Sequence, residues 1–441
     1  MIDPISPERL ESHLRHLCVD IGVRLAGTPA ERKAGDYCER VFRESGAKVS
    51  RERFPVKSRA VSKQSLAVRI GGAWISFPCS LFSSTPGTDG ATIEAPLAFF
   101  EAPAESRRSD LSYLRGKAVV HLGCHIESRD FYRRLLEARP AFLLLVDVRY
   151  PGSVPLADGM FPAYTRAIGA VPTVNVAFQD AWRWSVEGAS AARLLVEGGM
   201  QPGESENVIA ELPGTAPERE VVYLGGHHDT QADSVGADDN ATGVAGILEL
   251  ARVLAPLSRR RTLRLVSFGA EEQLSVGSAL HVRARRAEIS ERAALIFNLD
   301  SFGSWLGWSE MVLNGPRELE GYAPRFFEER GLPVRVIPGI VPYADHFPFV
   351  AAGVPGITLW RSNCTAGRFF HHRPDDDLTR VSPALMARLL DAAAALASDV
   401  ASAPELPFPR AIPETSAEEV ARFWADLFGG WEEPRDSPPA A

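Results

Sequence analysis

Apolar residues in the first fifty positions recur with helical spacing. Leu10, Leu14, Leu17 and Ile21 fall four, three and four residues apart, which marks one face of a helix. Ser6 and Pro7 ahead of them suit an N-cap and a first helical position. A second helix is predicted from Thr28 and Pro29 to just before Gly46, with Ala34, Tyr37, Val41 and Phe42 as its apolar positions. A strand over 49–56 follows. Between about 57 and 203 the pattern changes to short strands separated by Gly and Pro, at 66–75, 118–122 and 142–148, with one helix over 129–137 joining the last two. From 207 onward strands and helices alternate. The runs 221–224, 263–268, 295–299 and 356–360 are apolar and of strand length, and segments of helical period, 243–254 and 279–288, connect the first three. This is the pattern of an α/β fold whose mixed, mostly parallel sheet is flanked by helices. A last helix over 383–400 precedes a Pro-rich stretch, an amphipathic piece over 417–428 and a tail over 433–441 that reads as disordered. The predicted organisation is a discontinuous domain, 1–56 with 204–441, interrupted by an inserted strand-rich domain over 57–203.

Composition narrows the classes of function. The 441 residues carry 48 Lys plus Arg against 56 Asp plus Glu, a formal net charge of -8, with 45% hydrophobic and 24% charged residues. That balance lies far from disordered chains, and no apolar run approaches the roughly 20 residues a membrane-spanning helix needs. The two signs interleave without a basic stripe, so neither nucleic acid nor a membrane is an expected partner. Cys18, Cys38, Cys79, Cys124 and Cys364 are odd in number and scattered, unlike a zinc knuckle or a disulfide scaffold, and charged residues interrupt the opening stretch where a secretory signal would be apolar. A cytoplasmic setting is the expectation.

Ligand-type side chains stand just beyond the C-terminal ends of the apolar strands, the edge at which open α/β sheets bind ligands. The run 221–224 leads into His227 and Asp229; 263–268 leads into Glu271 and Glu272; 295–299 leads into Asp300. Between the first two lies the acidic loop Gly236-Ala237-Asp238-Asp239-Asn240-Ala241-Thr242-Gly243, and near the end comes His371-His372-Arg373-Pro374-Asp375-Asp376-Asp377-Leu378. Taken singly, each signal has a plain structural reading: a capped turn, a solvated helix start, an exposed loop pair. Their order and common placement carry the argument, because two histidines and three carboxylates can hold two zinc ions and leave a coordination position for water. A metal pair roughly 3.5–4 Å apart needs a bridging carboxylate, which the acidic loop offers. His121 and His125, isolated on either side of Cys124, read as structural.

The motif series resembles the co-catalytic zinc aminopeptidases of metallopeptidase family twenty-eight. His-x-Asp, Gly-Ala-Asp-Asp with a following Thr-Gly, Glu-Glu, Asn298-Leu299-Asp300, Asp345-His346 and a late His before an acidic turn occur in that family's order over about 207–381, and Arg24-Leu25-Ala26-Gly27-Thr28 is similar to its usual opening. The resemblance implies that His227 and Asp300 bind one zinc, that Glu272 and His372 bind the other, and that Asp238 bridges them. It makes Glu271 the general base and Asp229 a carboxylate that orients the His227 ring. Asp239 would follow the bridging ligand in a strained peptide. Counting back from Asp376 and Leu378 selects His372 over His371. Many relatives have Tyr immediately before that His, where its hydroxyl can steady the tetrahedral intermediate; here His371 stands there, and His371 or Tyr343 could substitute as donor. His346 is expected behind the ligands, not among them.

The activity so implied is zinc-dependent exopeptidase action on a peptide substrate, as an aminopeptidase with two zinc ions. A carboxypeptidase, an aminoacyl cyclase or an amidohydrolase would use the same scaffold, and a non-catalytic binding relative would keep the fold without the chemistry. The inserted domain sits where some relatives carry a protease-associated domain, which could shape the mouth of the cleft or support a homo-oligomer.

Overall fold

The computed structural model describes residues 3–123, 125–150, 152–216, 218–362 and 369–432. Cys124, Cys364 and the tail over 433–441 lie outside the described residues. The chain divides into two compact units: Met1–Val56 with Gly203–Trp424, and Lys57–Pro202 with Ala425–Ala441.

In the first unit, strand Val221–His227 runs parallel to Thr262–Phe268 on one side and to Ala293–Leu299 on the other. Gly356–Ser362 continues the sheet parallel to Ala293–Leu299; Trp308–Asn314 then joins antiparallel, and Val334–Ile337 pairs parallel with it. Beyond Thr262–Phe268, residues 208–212 pair antiparallel. The sheet is therefore mixed and mostly parallel, as expected. Every residue of Val221–His227 is buried, because helices cover both faces, and this produces a continuous apolar run where a half-exposed strand would alternate.

Helices Pro7–Arg15 and Pro29–Glu44 open the unit, with the Ser6 and Thr28 side chains accepting hydrogen bonds from the Arg9 and Glu31 amides. Helix Gly243–Leu254 is buried at every position except Arg252. A side chain added at Gly246 would come within 2.8 Å of Leu299, so this helix rests directly on strand Ala293–Leu299. Ile247, Leu248 and Leu250 fill the core beneath it, each burial contributing roughly 1.5–3 kcal/mol before chain entropy is set against it. The long helix Pro383–Ser402 turns Ala392, Ala393, Ala397 and Ala401 into the same core. The helix predicted over 279–288 is two, Val276–Ala284 and Arg286–Arg292, separated at Arg285 where the backbone leaves helical angles.

The second unit departs from its prediction. Strands Ile93–Phe100, Ala118–Leu122, Phe142–Val146 and Thr173–Val176 form a parallel set, but helices Pro162–Ile168 and Phe178–Val186 join the expected Arg129–Glu137. It is an α/β layer and not only strand-rich. The single strand predicted over 66–75 is a hairpin: residues 66–70 pair with Ala73–Phe77 across Gly71 and Gly72, both at positive φ, as a two-residue turn between twisted strands requires. Among the described residues, no helix is long and apolar enough to cross a membrane.

Candidate metal centre

Strand ends deliver the first three groups. His227 is the last residue of its strand and is fully buried. Its ring Nδ1 lies 3.3 Å from the Asp229 carbonyl oxygen and 3.4 Å from the Asp229 carboxylate, which assigns the ring proton to Nδ1 and turns the Nε2 lone pair the other way. Nε2 faces Asp239 at 3.2 Å, Asp300 at 3.8 Å and Glu271 at 3.8 Å. Asp300 follows strand Ala293–Leu299 and accepts a hydrogen bond from the Ser301 hydroxyl.

The Asp229 carboxylate is spent mainly on backbone. It accepts from the Glu271 amide at 2.9 Å and the Glu272 amide at 3.1 Å, so it caps the short turn Glu271–Gln273 and aims both glutamates. Glu272 meets His372 Nε2 at 2.9 Å. Glu271 accepts the Ser275 hydroxyl on Oε1 at 2.9 Å, which leaves Oε2 turned towards His227. Ala270, Leu274 and Ser275 around this turn all sit at positive φ, a conformation non-glycine residues adopt at some cost.

The acidic loop corrects one assignment. Asp238, expected to bridge the metals, turns away: its carboxylate accepts from the Gly303 amide at 2.8 Å and from the Ser304 hydroxyl. Asp239 takes the place facing the ligands, with Oδ1 towards His227 and Oδ2 3.0 Å from His371 Nδ1 and 3.5 Å from His372 Nε2. The physical reason is the backbone. Asp239 and Asn240 leave helical angles inside the turn Ala237–Thr242, and the peptide between them is cis, one residue later than the expected position. Asp376 fixes this turn by accepting from the amides of both Asp238 and Asp239, at 2.8 and 3.0 Å.

The residues present fit divalent metal binding. His227, Asp239 and Asp300 offer ligand atoms within 4.8 Å of one another, as do Asp239, His371 and His372. Among the described residues, His227 Nε2 is buried without a hydrogen-bond partner, as a metal-facing atom would be. Burial pushes the carboxyls of Glu271, Glu272 and Asp300 up, Glu272 to about 7, with His227 or His372 opposing and neighbouring carboxylates reinforcing. Asp239 goes the other way: burial disfavours its charge, but His227, His371 and His372 more than compensate and hold it well below the carboxylate range. So many carboxyl groups confined out of water need cationic charge to ionise together.

The sequence reading gave several contributors no role. Glu31, buried at the start of the second helix, accepts from the Gly27 and Ala270 amides and from the Ser205 hydroxyl, and so pins the residue preceding Glu271. Arg24 donates to the carbonyls of Leu17, Gly22, His228 and Val235 and holds the approach to the acidic loop. Asp345 is buried against the Ser278 hydroxyl, and burial raises it to about 7. His346 is not at the centre: it sits in the core between Asn314 and the Thr358 hydroxyl. His121 is a buried core residue, stacked on Phe100.

Residues 207–397 match the family model described as peptidase family M28. This segment belongs to that family. The M28 segment and its surroundings are 25% identical over 391 residues to aminopeptidase YwaD of Bacillus subtilis, covering 86% of this chain and 81% of that protein. Among solved structures, an aminopeptidase from Aneurinibacillus sp. strain AM-1 superposes with a TM-score of 0.71 at 25% identity, covering 93% of this chain and 98% of that one. A zinc aminopeptidase from Bacillus subtilis shares the fold with a TM-score of 0.74 at 21% identity, over 93% of this chain and 98% of its own.

Proposed function

We propose that this M28 chain is a zinc-dependent exopeptidase acting as an aminopeptidase: it hydrolyses the first peptide bond of its substrate. The observation that carries the reading is the convergence of His227, Asp239 and Asp300 on one point, with Glu271 beside it, and the placement of His372 between the Asp239 and Glu272 carboxylates. Zinc suits the mixed nitrogen and oxygen donors, and two ions sharing Asp239 would use all five. The aminopeptidase relatives in both comparisons favour action at the amino terminus.

When bound, the metal pair supplies Lewis acidity that activates water and polarises the scissile carbonyl. The chain's own groups do the rest. Glu271 Oε2 takes the proton from the attacking water, since Oε1 is committed to Ser275, and then delivers it to the leaving amine, so that water adds across the C–N bond and no proton is left over. Burial raises the Glu271 carboxyl well above its usual range, with His227 opposing and the neighbouring carboxylates reinforcing. Asp229 keeps Glu271, Glu272 and His227 in register through the turn amides and the ring proton.

The test is metal content together with turnover of a panel of aminoacyl-anilides, for the purified chain and for Glu271→Gln. The expected result is two zinc per chain in both proteins, with kcat lowered about 10²–10⁴-fold or more in the variant. Full metal with release only from carboxyl-terminal substrates would replace aminopeptidase by carboxypeptidase action. A chain that binds no metal would overturn the proposal.

A further inference from the structure

We propose that His371 is a direct protein ligand, through Nδ1, of the metal position formed by Asp239, Glu272 and His372, so that this position has four protein ligands and the His227 position three. The inference rests on the metal-centre reading above and assigns a residue which that reading leaves without a role.

Three observations carry it. The first is distance. Two ligand atoms on one tetrahedral ion, with bonds of about 2.0–2.1 Å, are separated by roughly 3.3–3.4 Å. His371 Nδ1 lies 3.0 Å and His372 Nε2 3.5 Å from Asp239 Oδ2, and His372 Nε2 lies 2.9 Å from Glu272 Oε2. These separations cluster around that tetrahedral edge. The second is the division of the Asp239 carboxylate, whose Oδ1 faces one imidazole and Oδ2 two. A carboxylate bridging two ions presents one oxygen to each, so nitrogens facing the same oxygen belong to the same ion.

The third is the backbone. Side chains of adjacent residues ordinarily diverge, but His372 holds φ at 55°, and the rings of His371 and His372 stack with centroids 3.5 Å apart. The turn is held from below: Arg373, almost wholly buried, donates to the His371 carbonyl, and its amide donates to the Phe370 carbonyl. A non-glycine residue kept at positive φ to bring two neighbouring imidazoles onto one carboxylate oxygen is the kind of local cost that accompanies a functional site. A hydrogen bond from His371 to Asp239 would need only one ring placed there; the paired placement of two nitrogens fits coordination.

The consequence is an asymmetric centre. Asp239, His371 and His372 cluster together with Glu272 against His372, so that with His371 as a ligand this position would be closed by protein atoms, as structural zinc sites are, whereas the position of His227, Asp239 and Asp300 would keep room for water beside Glu271.

The experiment uses the full chain, stripped with a chelator and reloaded with Zn²⁺ at buffered free concentrations. Bound metal is counted by elemental analysis in wild type, His371→Ala, His371→Gln and His372→Ala, and the visible absorption of the Co²⁺-loaded forms is recorded in parallel. Groups that merely contact a ligand are already worth about 10–100-fold in metal affinity, so loss of a ligand should weaken one of the two positions by at least ~100-fold. His371→Ala and His371→Gln should both lose that metal, as His372→Ala does, and the Co²⁺ band of that position should change. The His371 side chain is 17% exposed, so its truncation opens no sealed cavity, and His371→Gln keeps a hydrogen-bond donor if the alanine variant misfolds. Two metals retained at unchanged affinity in both His371 variants, with a fall in turnover that Gln restores, would make His371 a hydrogen-bond donor and overturn the proposal. No metal in wild type would remove the proposed function along with it.

Discussion

Exchanging the fates of Asp238 and Asp239 tests the geometry of the acidic loop most directly. The two carboxylates are adjacent, both buried, and differ only in what they face. Asp238 accepts from the Gly303 amide and the Ser304 hydroxyl, and both donors are buried or nearly so. Hydrogen bonds to a charged acceptor contribute about 1.5–3 kcal/mol each, so Asp238→Ala should cost on the order of 3–6 kcal/mol of stability. Asp238→Asn keeps an acceptor for Gly303 and should cost about 1 kcal/mol. Neither change removes an atom facing His227 or the late histidines. Asp239→Asn does the reverse: it keeps the shape but removes the charge shared between the two ligand sets. Paired measurements separate the cases, thermal denaturation of the chelator-stripped protein and zinc per chain at buffered free metal. Asp239→Asn should lose at least one zinc with little change in the melting temperature of the stripped protein. Asp238→Asn should keep both, and Asp238→Ala should melt on the order of 10 °C lower. Loss of zinc in Asp238→Asn with retention in Asp239→Asn would refute the assignment.

Glu31→Ala leaves two backbone amides and a hydroxyl without their acceptor and should destabilise the stripped protein by about 3–5 kcal/mol, while Glu31→Gln should recover much of that; equal melting temperatures for wild type and Glu31→Ala would show that the buried carboxyl holds nothing. His346 supplies a pH dependence. Burial depresses its imidazole to about 3, below the ordinary value of 6.5, so the unfolded chain binds the proton more readily, and stability present above pH 6.5 should drain away as the pH falls towards 3, by on the order of 5 kcal/mol at the limit. Denaturant titrations between pH 7 and pH 4 should show a shallower slope for His346→Gln than for wild type, and parallel slopes would contradict the burial argument.

How far the centre could be read from sequence depended on the kind of backbone carrying each residue. His227, Asp300 and the Glu271–Glu272 pair follow apolar strands directly, and a parallel strand has one C-terminal end, so their common edge was legible. The choice between Asp238 and Asp239 was not. Side-chain direction in a strand or helix follows from period, but in a turn with irregular angles at Asp239 and Asn240 neighbours have no fixed relation. Glu31 and Asp376 were obscure for another reason: both act by accepting backbone amides, which every residue has, so no partner type marks them in the chain. In the second unit, Pro162–Ile168 and Phe178–Val186 escaped notice because they span only seven and nine residues and lack a side-chain N-cap. Gly71 and Gly72, by contrast, carried a turn signal that a longer strand assignment had passed over.

The Asp376 carboxylate also has a meaning for biosynthesis. It closes the turn that orients Asp239, yet it lies 138 residues downstream of Asp238. During translation the strand ends bearing His227, Glu272 and Asp300 emerge first, and their donors can gather only loosely while the bracket for the acidic loop is still unmade. The ribosome must extend the chain past His372 and Asp376 before the shared carboxylate is locked in place. On the proposed reading, a complete donor set thereby waits for His372 and Asp376 to be made, and a nascent chain stalled before them would be without the finished cradle.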